Sequence, residues 1–151
     1  MSIRHFRYLC GLTVLITHIL AVAMIGSANR FTDIQDQIGS ILIVVPITLV
    51  YASAFVRFVA ANAAPAPPGA DERFDPMAAG VMYFVVAVFC ASLLYVTIKF
   101  TYLSSYQVSE FKMWLGACET AFGALIGIVF EKLFGAQFAE AKAAIPKPAE
   151  Q

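Results

Sequence analysis

Two ionisable side chains, His18 and Glu119, lie inside long apolar runs of this chain. An imidazole or a carboxyl in lipid is costly, so such groups face protein, pair with one another, or mark routes for protons and ions. On a helical wheel Glu119 shares one face with Gly116, Thr120, Gly123 and Gly127. Small residues on one face let another helix approach closely, so the carboxyl is expected to look toward protein. Counted from Trp114 it lies five residues in, about 7 Å along the axis and in the outer third of a span. His18 is the natural donor, and a hydrogen bond between the two would relieve both desolvation costs. Two readings make the groups partners, and a third leaves them as unrelated, individually hydrated side chains. Of the first two, one is a polar clamp between helices. The other is a proton or ion pathway in which Thr17, Tyr51 and Ser53 join the pair. The clamp is the plainer of the two.

Other chemistry is excluded more firmly. Cys10, Cys90 and Cys118 all fall in apolar segments with no C-x-x-C spacing, and read as small buried hydrophobes. His5 and His18 are thirteen residues apart, about 20 Å on one helix, too far to grip one haem from opposite faces. The chain has no G-x-S-x-G, H-E-x-x-H or P-loop, each of which has a defined catalytic geometry. Asp71, Glu72 and Asp75 surround Arg73 and read as a solvated loop. No catalytic residue, metal site or cofactor is expected, and the chain is not expected to be an enzyme. Ten acidic residues balance ten basic ones with no basic run, which argues against a nucleic-acid partner.

The elements that must position His18 and Glu119 are legible in the composition. The chain is 60% hydrophobic and 13% charged, against about half and a quarter in soluble domains. A bilayer core of about 30 Å needs roughly 20 apolar residues of helix. Four segments meet that length, at about 8–25, 41–61, 78–98 and 114–133. The expected fold is an all-α membrane protein, a four-transmembrane-helix bundle with short loops. Its transmembrane domain covers 1–135 and a short tail covers 136–151. The first span is expected to be retained, because its apolar stretch is long for a signal peptide. Phe100, Tyr102, Tyr106, Phe111 and Trp114 crowd the third connection, as aromatics do at a membrane interface.

Small-residue positions supply the remaining expectations. Gly123 and Gly127 form a G-x-x-x-G, and Gly80, Ala87 and Ala91 make a second seam on the third span. Seams pointing in several directions call for more than one partner, and closed symmetry among identical chains is the usual solution. Pro46 removes a helix hydrogen bond within the second span and is expected to kink it. Seven of the ten Lys and Arg residues fall with the termini and the second connection, leaving Arg30, Lys99 and Lys112 on the other side. That bias places both termini in the cytoplasm. The expected setting is a bacterial inner (plasma) membrane. The expected function is a homo-oligomeric channel or pore, either ion- or proton-conducting or membrane-permeabilising. The alternatives are an accessory or structural subunit packed against another membrane subunit, and a small proton-coupled transporter.

Overall fold

The computed structural model describes residues 3–61, 75–103 and 106–124. Within them lie four helices and no strand: α1 (Ile3–Ser27), α2 (Ile34–Ala61), α3 (Pro76–Leu103) and α4 (108–124). The first three are long and apolar enough to cross a membrane. At 25 and 28 residues they measure about 38–42 Å, more than a hydrocarbon core demands. The described part of α4 is shorter. Gly127, the rest of the fourth expected span, the tail 136–151 and the loop residues Asp71, Glu72 and Arg73 lie outside the described residues.

α2, α3 and α4 begin earlier than their apolar stretches, where polar side chains satisfy first free backbone N–H groups. Asp33 Oδ1 accepts from the Gln35 N–H at 2.9 Å and starts α2. Asp75 Oδ1 accepts from the Met77 N–H at 3.2 Å, with Pro76 in the first helical position, where its fixed φ fits and its missing donor costs nothing. At α4, Glu110 Oε2 reaches back to the Gln107 N–H at 3.1 Å, half of a capping box. The end of α1 is held by Gln37, whose Nε2 donates to the Ile25 and Gly26 carbonyls at 3.0 and 2.8 Å.

α1 is the helix against which both α2 and α3 pack. α4 completes the bundle through contacts to all three, among them His18 of α1, Ile47 of α2 and Phe100 of α3. The interior divides into two apolar clusters. One holds Phe6, Cys10, Val14, Tyr51, Phe55, Phe58, Val86, Cys90 and Phe122. The other, toward the end shared by the α1–α2 and α3–α4 connections, holds Ile25, Val44, Phe100, Phe111 and Leu115 among others. The Phe100 and Phe111 rings stack there with centroids 4.1 Å apart, and Phe31 closes over Phe100 at 5.0 Å.

The outward surface is as apolar as the inside. Leu12, Ile16 and Ile19 on α1, Leu42, Leu49 and Val56 on α2, and Val81, Phe84 and Val88 on α3 are all exposed. In water so large an apolar surface drives aggregation. Facing acyl chains, it meets a medium of its own polarity.

Candidate functional site

His18 and Glu119 meet between the two apolar clusters. His18 follows Val14 of the first cluster and precedes Ala21 of the second, while Glu119 stands between Leu115 and Phe122. His18 Nε2 lies 3.6 Å from Glu119 Oε2, and both side chains are almost fully buried. His18 is nine residues from the last residue of α1, about 14 Å along the axis. Glu119 sits beside it. Because α4 begins at 108, six residues before Trp114, the carboxyl is deeper in the bundle than counting from Trp114 suggests.

The hydrogens can be assigned from what each partner is able to do. His18 Nδ1 is 2.8 Å from the Val14 carbonyl oxygen. A carbonyl only accepts, so Nδ1 carries the hydrogen and donates it. Nε2 then faces the carboxyl. The two groups are complementary when a single proton lies between them, as imidazole with carboxylic acid or as imidazolium with carboxylate. With none, lone pairs oppose; with two, hydrogens do. Nε2 and both Glu119 oxygens have no hydrogen-bond partner among the described residues, so the two groups face each other at 3.6 Å, just beyond hydrogen-bond distance, with no substitute for either.

Apolar side chains enclose the pair. The Phe122 ring lies 5.3 Å from the imidazole and 5.5 Å from the Phe89 ring, centroid to centroid. A cavity of about 10 Å³ remains between His18, Phe89, Leu93, Cys118, Glu119 and Phe122, room for at most a single water. No groups for a metal are gathered here: among the described residues no cluster of three His, Cys, Asp or Glu side chains exists.

The other candidate residues are distributed differently. Thr17 is buried next to His18 on α1, and Tyr51 is buried in the first apolar cluster. Ser53 faces outward and its hydroxyl donates to the Val50 carbonyl at 2.8 Å. Thr13, Thr48, Ser92 and Thr97 likewise donate to carbonyls four residues back on their own helices, at 2.8–2.9 Å. These hydroxyls are satisfied locally by their own helices. Pro46 is exposed and α2 continues through it.

The small-residue seams divide between inside and outside. A side-chain carbon at Gly123 would stand 3.6 Å from Ile47, in ordinary contact with α2, whereas at Gly80 or Gly116 it would meet nothing within 4 Å. Thr120 and Ala91 are exposed and Ala87 is half-buried. The tightest glycine is Gly11, where an added carbon would collide with the Phe55 ring. Sequence reasoning left Gly11 out of the packing seams. A glycine within a span was the available signal, since close helix approach is its usual reason. It also missed the ion pair between Lys112 Nζ and Asp36 Oδ1 at 2.6 Å, which ties α4 to α2 near their first turns.

No protein-family model, curated protein or solved structure matches this chain. What fold and site define is a class: a helical membrane protein with three apolar candidate spans, a fourth helix against them, and one polar pair buried among apolar side chains.

Proposed function

We propose that the chain is a small integral membrane protein that acts as a homo-oligomeric channel, with α4 as its assembly helix and the fourth transmembrane span. The observation that carries this reading is the outward face of α4. Beyond Trp114 its exposed residues are Ala117, Thr120, Ala121 and Ala124, with Gly116 open at the edge. No large apolar side chain is exposed there among the described residues, whereas α1, α2 and α3 each expose several. Lipid is met well by Leu, Ile and Phe; a smooth face of Ala, Gly and Thr is met well by another helix. Identical α4 helices around a closed axis would satisfy that face. Thr120 would then supply the hydroxyls nearest the axis, and the His18–Glu119 pair, one residue behind it, the adjacent proton-binding groups. The bias of Lys and Arg supports both termini on the cytoplasmic side of a plasma membrane.

A second reading, an accessory or structural subunit of a larger membrane complex, is favoured by the locally satisfied hydroxyls and the enclosed pair. The full-length protein in liposomes loaded with a pH-sensitive dye separates the two. A channel gives proton flux that falls with Thr120→Val, which removes the hydroxyl while keeping the size of the side chain and so the assembly. Vesicles that stay tight with the wild-type chain favour the accessory subunit.

A further inference from the structure

A second feature lies on the outer surface between α3 and α4. It is a groove of about 520 Å³ whose walls include Ala91, Ser92, Tyr95, Tyr106, Trp114 and Cys118. That volume is within the roughly 300–1,000 Å³ of sites that hold whole small ligands. Tyr95 and Trp114 are 58% and 48% exposed, so the groove opens where acyl chains run in a bilayer. Its walls are mainly apolar along their length and carry amphipathic aromatics toward one end.

That end has a cation. Lys99 Nζ lies over the Tyr95 ring at 5.4 Å and over the Tyr106 ring at 4.8 Å from the centroids. Lys99 is four residues from the end of α3, about 6 Å along the axis, the level at which Lys, Tyr and Trp meet headgroups. Lys99 belongs to neither of the ion pairs His18–Glu119 and Lys112–Asp36, and no described carboxylate neutralises it.

We infer that this groove binds an anionic phospholipid, with one acyl chain along Ala91, Ser92 and Cys118 and the headgroup phosphate on the Lys99 ammonium. The charge argues for lipid over a second copy of the chain. A two-fold contact centred on the groove would bring Lys99 of each copy toward its counterpart, whereas an anionic headgroup supplies the missing opposite charge. The site borders the small-residue face of α4, since Trp114, Ala117 and Ala121 follow at i, i+3 and i+7, and its occupancy does not depend on conduction.

Trp114 is the single tryptophan of the chain and lines the groove, which makes it the reporter. The full-length protein is reconstituted in vesicles containing acyl-brominated phosphatidylglycerol or acyl-brominated phosphatidylcholine, and quenching of Trp114 is titrated. One lysine at a membrane surface favours an anionic lipid about fivefold, so phosphatidylglycerol should quench at correspondingly lower mole fraction. Lys99→Gln should make the two lipids equal, and Lys99→Arg should restore the preference, with helix content by circular dichroism unchanged in both. Equal quenching by the two lipids in the wild type would overturn the proposal. So would protection of Trp114 from both lipids together with Cys118–Cys118 cross-linking, which would place a second copy in the groove.

Discussion

His18 Nε2 and Glu119 Oε2 face each other at 3.6 Å, and their facing is fixed from behind the ring, where Nδ1 donates to the Val14 carbonyl at 2.8 Å. The imidazole is thus held in one tautomer and one rotation by its own helix, and among the described residues Glu119 of α4 is the polar group that faces its second nitrogen. Removing Glu119 leaves Nε2, and removing His18 leaves the carboxyl, buried with no partner among the described residues. Such a group costs about 1–3 kcal/mol in a protein interior, while polar pairs between membrane helices couple by roughly 0.6–1.7 kcal/mol.

The pair should therefore behave non-additively. His18→Leu and Glu119→Leu should each lower thermal stability in mild detergent, and the double replacement should cost less than the two together by about 1 kcal/mol. Glu119→Gln should unfold close to the wild type, because its amide can donate to Nε2. Strictly additive losses would show that the two side chains do not act on each other.

Gly11 and Gly80 give a contrast of position. Gly11→Val drives a side chain into the Phe55 ring, whereas Gly80 has open space beside it. Overpacking of this kind costs about 1–3 kcal/mol. Gly80→Ala should leave stability equal or raise it by up to about 1 kcal/mol, the helix-propensity difference between the two residues. Thermal unfolding of the two variants side by side checks the order, and a more stable Gly11→Val would contradict the packing of α1 on α2.

The Lys112–Asp36 pair is short but only partly buried, with side-chain exposures of 29% and 42%. Water and salt screen it, so Asp36→Asn should cost less than about 1 kcal/mol. Asp36→Lys should cost more, by setting two cations together, and adding Lys112→Asp should recover most of the loss. Failure of the swapped pair to recover would assign the effect to the place of Asp36 in the first turn of α2, where a negative charge suits the helix dipole, rather than to its pairing with Lys112.

Three spans were legible because hydropathy reports the length of chain that lipid can solvate, and α1, α2 and α3 each contain such a length. Their ends were not. The extra turns at the starts of α2 and α4 are polar, held by Asp33 and Glu110, and a hydropathy window passes over them. At the site, scarcity singled out His18 and Glu119 as ionisable groups deep in the spans. Their separation depended on how α1 and α4 neighbour one another, which a linear pattern does not contain. Glycine spacing had the same limit: it marked Gly80 and Gly123 alike, while neighbours in space leave one open and press the other toward Ile47.

Orientation is open to direct labelling. In a background without native cysteines, Asp33→Cys, exposed at the start of α2, should react with an impermeant thiol reagent only from outside. Arg73→Cys, in the second connection, should react only from the cytoplasmic side. The reverse pattern would contradict the orientation inferred from Lys and Arg.

Assembly of identical chains through α4 is tested most directly by native mass spectrometry of the full-length protein released from nanodiscs, comparing the wild type with Ala117→Leu/Ala121→Leu. Both positions are exposed in the single chain, so the substitutions roughen the outward face and leave the interior alone. The wild type should appear as one closed multiple of the 16.4 kDa chain, and the variant should fall to smaller species while retaining helix content. A wild-type chain that stays at single-chain mass, or a variant that assembles as well as the wild type, would contradict it.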